Sequence, residues 1–189
     1  LVEQLLLLLF AGYETTASSL SCLFRALLLN PEVQTWLLPE LLASPWPFET
    51  SHRSPHLDAT VLEVMRLTPP VGGYFRCNLQ PIHLADVEVP ADPVIQVVLG
   101  SRDAMDDADL ACFRPQRHLD GSFNQTLLPF GGGERVCLGK ALAELEIRLM
   151  AVGLLQRLQL QLVADQDLSL KQIPSPTPRD GLLVTVEKR

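Results

Sequence analysis

The chain has 189 residues, 47% of them hydrophobic, which suits one compact domain with a core and is too apolar for a disordered segment. Acidic residues outnumber basic ones 22 to 15, a net charge of -7 that argues against nucleic acid as a partner. The four cysteines, Cys22, Cys77, Cys112 and Cys137, are widely spaced without a CxxC pair. That pattern argues against a zinc site or a disulfide framework and points to a reducing, intracellular setting, in the cytoplasm or at a membrane periphery.

Leu1 already lies inside a helical pattern, with no initiator methionine before it. Residues 1–30 therefore read as a long, fully buried helix entered midway, with an upstream part of the protein absent. Its apolar run, Leu5 to Ala11, is too short to span a bilayer, and membrane association is left open. Asn30-Pro31 ends this helix and Pro31 starts a second one, which runs to about Leu42 with a break expected at Pro39. "ASPWPFETSHRSP" reads as a connector, and a third helix covers Pro55 to Leu67, stopping before Pro69-Pro70. Between Val71 and Leu99, "YFRCN", "IHLADVEVP" and "VIQVVLG" read as short strands. A polar, irregular stretch with one short helix follows from Ser101 to Thr126, then a glycine-rich loop. Leu138 to Leu158 has the apolar period of a strong helix, and two late strands are expected at Gln159 to Ala164 and Leu182 to Val186. The predicted class is mostly α with a small β-sheet (α+β), in one domain.

Chemistry concentrates in "PFGGGERVCLGK", residues 129–140. Cys137 stands just before a helix, where unpaired N–H groups and the helix dipole favour a thiolate. Gly131, Gly132 and Gly133 can take left-handed conformations and let the backbone approach a ligand, and Arg135 adds positive charge. The plain alternative is a buried structural cysteine behind a flexible loop. "AGYETT", residues 11–16, places Gly12, Glu14 and the β-branched Thr15-Thr16 in a helix interior that disfavours them. Small Ala11 and Gly12 would let a flat cofactor reach the backbone, while Glu14 and Thr15 offer an acid and an alcohol for proton delivery. The alternative is a helix kink whose hydroxyls bond back to the i−4 carbonyl. "LEVMRL" sets Glu63 and Arg66 three apart on one helix face, as a common surface pair or, among apolar neighbours, a partly buried one. Arg76 in "GGYFRCN" reads by itself as a solvated strand-edge arginine.

Phe130-x-x-Gly133-x-Arg135-x-Cys137-x-Gly139 resembles, without a gap, the haem-binding signature of the cytochromes P-450, the haem-thiolate monooxygenases. The resemblance implies the C-terminal portion of a single cytochrome P-450 domain across residues 1–189, with its N-terminal part absent. It implies haem b (iron protoporphyrin IX) as cofactor and Cys137 as the axial thiolate ligand of its iron. Phe130 would shield the sulfur, and Gly131, Gly133 and Gly139 would shape the loop. Arg135 and Arg76 would bind the propionates, and Ala11 and Gly12 would let the macrocycle approach. Glu14 and Thr15 stand where the family's proton-delivering acid and alcohol stand. Glu63 and Arg66 match its Glu-x-x-Arg, with Arg117 as a structural third member. Gln116 and His118 stand where glutamate and an aromatic are usual, Asp92-Pro93 replaces a Lys-Gly turn, and Ser101 stands where histidine or asparagine is common. "PPVGGYF", "PFGGGERVCLGK" and "PSPTPRDG" are most similar to retinoic-acid hydroxylases and their cyanobacterial relatives, and imply substrate contacts at Val71, Gly72 and Pro176. The implied activity inserts one atom of O2 into an apolar organic substrate, with electrons from a separate ferredoxin or reductase. The alternatives are a haem-thiolate peroxide isomerase, which the Glu14-Thr15 pair speaks against, and an inactive remnant of a truncated gene.

Overall fold

The long first helix, α1, spans Val2–Leu29 without interruption, so Gly12 neither breaks nor ends it. Here and below the molecule is described from a computed structural model, which covers residues 1–43, 47–52, 54–100 and 107–189. Burial along α1 is one-sided by sequence. Cys22, Leu23, Phe24 and Leu27 are in the core, whereas Leu5 through Phe10 are each between 57% and 68% exposed. The helix reads as fully buried together with an upstream part of the protein; its apolar first half has nothing packed over it among the described residues. By length and composition the whole of α1 is apolar enough to cross a membrane, which Leu5–Ala11 alone is not. Its second half is nevertheless built into the core of the domain.

The second helix, α2, spans Pro31–Leu41 and carries Pro39 internally. The predicted break does not occur. Pro39 forfeits one intrahelical bond in the last turn, and the buried Leu37 and Leu41 hold that turn on both sides. The segment read as a connector contains a short helix, α3 (Pro47–His52). Helix α4 (Pro55–Leu67) opens at Pro55 behind Ser54, whose hydroxyl accepts the Leu57 N–H at 3.2 Å.

Strands β1 (Gly73–Cys77) and β4 (Val94–Val98) pair antiparallel, as do β2 (Ile82–Leu84) and β3 (Val87–Val89). After α5 (Ala108–Ala111) and 3-10 turns at Pro115–His118 and Gly133–Arg135 comes α6 (Lys140–Arg157). It starts two residues later than predicted, because Gly139 takes the N-cap position. Strands β5 (Leu158–Leu162) and β8 (Val184–Lys188) form a third antiparallel pair, and β6 (Leu170–Lys171) and β7 (Thr177–Pro178) a fourth. The late strands are shifted by one or two residues from expectation. The described strands form four separate two-stranded ladders in place of one small sheet. Ser101 and the five residues after it lie outside the described residues, whereas the rest of the polar stretch, 107–126, is described and holds α5 and the first 3-10 turn.

The core joins the inner half of α1 to α2, α4 and α6 through Leu23, Leu27, Leu37, Leu57, Ile147 and Leu155, all almost fully buried. Burying each such side chain stabilises the fold by about 1.5–3 kcal/mol. This core places three chemical features: the buried acid of α4, the loop before α6, and a cavity beside α1.

Candidate functional site

Glu63 is fully buried, and its carboxylate is met by five donors. Arg66 donates through Nε at 2.8 Å and Nη2 at 2.9 Å, and Arg117 through Nε at 3.0 Å. The Arg114 amide donates at 3.1 Å, and His118 Nε2 lies at 2.7 Å. The surface-pair reading of Glu63 and Arg66 is therefore replaced by a buried network that reaches across to the 3-10 turn. Burial pushes the Glu63 pKa up, but the hydrogen bonds from Arg66, His118 and the Arg114 amide outweigh it and hold it at about 2, against an ordinary 4.5. Because Glu63 is ionised and can only accept, His118 presents Nε2–H to it. Arg117 also binds the carbonyls of Asp109 and Cys112, and Arg66 that of Leu110, so the network ties α4 to the chain around α5. His118 was not marked as a member from sequence. The signal that could have found it is its place directly after Arg117, on the same turn.

The loop 128–140 is closed by its own backbone. The Gly131 amide donates to the Leu128 carbonyl at 2.8 Å, and the Cys137 amide to the Phe130 carbonyl at 2.9 Å. Gly131 and Gly133 have φ of 73° and 63°, conformations that L side chains resist, whereas Gly132 is extended and needs no glycine on that ground. Cys137 is exposed, which removes the reading of a buried structural cysteine. Its sequence neighbours Val136 and Leu138, and Leu142 in the first turn of α6, are all exposed, with Leu138 at 91%. Phe130 is half-buried against the core and carries the Lys140 ammonium 5.9 Å above its ring. Gly139 leaves room beside the sulfur, since a Cβ there would lie 4.0 Å from Sγ.

The third feature is a cavity of about 630 Å³ between α1, the segment after α4 and the turn between β6 and β7. It brings together Ala11, Glu14 and Thr15 with Val71, Gly72 and Pro176, residues far apart in sequence. Thr15 Oγ1 donates to the Ala11 carbonyl at 2.7 Å, which satisfies the hydroxyl proton and leaves its lone pairs to accept. Gly12 does not line this cavity, and a Cβ there would meet nothing within 4 Å. The Cys137 loop does not line this cavity. Arg76, on β1, is exposed; its Nη1 donates to the Phe75 carbonyl and its guanidinium stacks on Tyr74. Among the described residues neither Arg76 nor Arg135 has a carboxylate partner.

These features fit a haem. An exposed thiol on a tight loop is flanked by apolar side chains that suit a flat macrocycle, and two unneutralised arginines suit its propionates. Among the described residues no group of three or more His, Cys, Asp or Glu could hold a bare metal ion, and haem iron asks for a single protein ligand on this side.

Comparison with known proteins leads to the same place. The cytochrome P-450 family model matches residues 1–187. Cytochrome P-450 120 of Synechocystis is 37% identical over 97% of this chain and 44% of its own length. Mouse cytochrome P-450 26B1 is 34% identical over 94% of this chain and 38% of its own. The human mitochondrial 25-hydroxyvitamin D-1 alpha hydroxylase is 35% identical over 82% and 33%. The structure of cyanobacterial CYP120A1 with retinoic acid bound superposes with a TM-score of 0.87 at 34% identity, covering 97% of this chain and 45% of that one. The chain thus spans less than half the length of the curated relatives it matches. It belongs to the cytochrome P-450 family, whose cofactor is haem.

Proposed function

We propose that this chain is the haem-binding, C-terminal portion of a monooxygenase that inserts one oxygen atom from O2 into an apolar organic substrate. The observation that carries the reading is the exposed Cys137 thiol, presented by a loop that closes on itself through the Phe130 carbonyl. Bound haem would supply the redox iron and the oxygen chemistry. The chain's residues do the rest. Cys137 provides the thiolate ligand, with Gly131, Gly133 and Gly139 shaping its approach and Phe130 covering one side. Arg76 and Arg135 neutralise the propionates. The cavity beside α1 takes the substrate against Val71, Gly72 and Pro176, and excludes water from it. Glu14 holds a carboxylate at the cavity wall, and the Thr15 hydroxyl, already donating to Ala11, accepts a proton-bearing partner there. Glu63, Arg66 and Arg117 act structurally, fixing the chain after α4. Electrons come from a separate ferredoxin or reductase. A relative with retinoic acid bound supports an elongated apolar substrate.

The test is a carbon monoxide spectrum of the reduced, haem-loaded protein. A thiolate-type red-shifted Soret band that Cys137→Ser removes, and that serine at Cys22, Cys77 or Cys112 leaves in place, is the expected result. A wild-type band without the red shift defeats the reading. In the same protein Thr15→Ala keeps haem and lowers product formed per electron, and an unchanged yield removes Thr15 from proton delivery.

We further infer that the remainder of a single domain covers the first half of α1. Leu5 to Phe10 form an exposed apolar stretch of a kind that soluble monomers rarely leave open beyond a few hundred Å², by the usual order of magnitude. The 189 residues expressed alone are expected to self-associate or to take up haem weakly; a monomeric, fully haem-loaded chain would count against this.

A further inference from the structure

One face of α1 is laced to the C-terminal segment by side-chain donors. Ser18 Oγ donates to the Pro176 carbonyl at 2.6 Å, and Cys22 Sγ to the same oxygen at 3.3 Å. Arg25 Nε donates to the Leu168 carbonyl at 2.6 Å. Spacings of four and three residues put all three on one stripe of the helix. The same stripe, one turn earlier, carries Thr15, which faces the cavity.

Pro176 is where this lacing meets the cavity. It lines the wall, lies buried, and has two donors on one carbonyl within a stretch, 172–176, that contributes Gln172, Pro174 and Ser175 to the same wall. The segment has little other regular structure to hold it, since β6 and β7 are two residues each. Ser18 is fully buried and Cys22 nearly so. A buried carbonyl stripped of its donors must move toward another partner or pay the desolvation cost. Burial also pushes the Cys22 thiol pKa up, which keeps it a protonated donor at working pH.

From this geometry we propose that Ser18 and Cys22 are positioning residues for substrate selection: through the Pro176 carbonyl they set the distance between α1 and the 172–176 wall, and so the width of the cavity. The inference rests on the reading of that cavity as the substrate site. Neither residue touches the substrate. Their effect passes through the wall, and it discriminates among ligands by size without altering what binds at Cys137.

The experiment uses two azoles on the haem-loaded protein, imidazole and 4-phenylimidazole, with binding followed by the Soret shift. Imidazole reports haem access alone, and the phenyl group adds contact with the cavity wall. In the Ser18→Ala/Cys22→Ala double variant, the affinity ratio of 4-phenylimidazole to imidazole is expected to change about tenfold, the scale of one or two lost neutral hydrogen bonds. Haem content and the carbon monoxide band stay as in the wild type. Ser18→Ala alone moves the ratio the same way by a smaller factor, and supplies the measurement if the double variant does not fold. Cys22→Ser, which keeps a donor, retains the wild-type ratio. A ratio that stays constant in Ser18→Ala and in the double variant, even with lowered thermal stability, overturns the proposal by showing the lacing to be structural only. Failure of the haem reading looks different: the wild type itself lacks the thiolate band.

Discussion

The Glu63 network and the Cys137 loop are both polar sites built on helix ends, and they are opposite in finish. Glu63 is fully buried and its two carboxylate oxygens take five donors from α4, the Arg114 amide and the 3-10 turn after α5. The chain supplies every donor to the carboxylate, although Arg66 Nη1 lies buried without a partner among the described residues. Cys137 sits on a loop closed by its own backbone, yet its thiol, Arg135 and the side chains of Leu138 and Leu142 face outward. Here the chain supplies only one side of the contact. The contrast teaches which parts of such a site are framework and which are receptor. A buried charge must be satisfied within the fold or the fold fails, whereas a group meant for a cofactor must stay open until it arrives.

That contrast can be broken first at Glu63. Glu63→Ala leaves the buried Arg66 guanidinium without a carboxylate and Arg117 with only the exposed Asp109, and is expected to destabilise the protein by about 3–5 kcal/mol, read as a lower urea midpoint. A loss well below 1 kcal/mol would mean the network is not the framework described here. Acid probes the same carboxylate without mutation. Its folded pKa of about 2 lies below its ordinary 4.5, so the stabilisation is fully present above pH 4.5 and is lost as pH falls from 4.5 toward 2. The expected loss is roughly 3 kcal/mol across that window, and Glu63→Gln should flatten the slope. A variant that keeps the full slope assigns the acid sensitivity to other groups.

A smaller effect is expected at His118. His118→Phe removes one of five donors while keeping a flat ring against Phe123, and should cost about 1 kcal/mol in thermal or urea denaturation. His118→Gln, with a donor restored, should recover part of it; equal losses in both would point to ring packing. The smallest effect on folding belongs to Cys137. Because its thiol is exposed and bonded to nothing among the described residues, Cys137→Ser should change the stability of the haem-free protein by less than about 0.5 kcal/mol. A large loss would show that the loop is framework after all.

Much of the candidate site could be read from the sequence, for a local reason. The Cys137 loop is contiguous, its glycines are demanded by backbone φ at Gly131 and Gly133, and its chemistry follows from residue types over ten positions. Glu63 and Arg66 are visible as an i,i+3 pair whose apolar neighbours imply partial burial, and Arg117 through the family pattern, while complete burial of all three is not legible, since it depends on what packs over α4. Pro39 shows the converse error: a local rule predicted a break, and buried Leu37 and Leu41 overrode it. The outer half of α1 reads as core by composition but is open, because composition says that a face needs a partner and not whether one is present.

The sequence by itself determined the helices with strong apolar periods, the turn chemistry at Pro31, Pro55 and the glycine loop, and the identity of the thiol ligand candidate. Those depend on interactions within a few residues, where spacing and propensity suffice. Tertiary structure alone decided that His118 reaches Glu63, 55 positions away. It also decided that Ser18 and Cys22 hold Pro176, and that Glu14 and Thr15 share a cavity with Val71 and Gly72. Each of these joins segments whose separation along the chain carries no local signal, and it exists only because the shared core of α1, α4 and α6 brings them to one place.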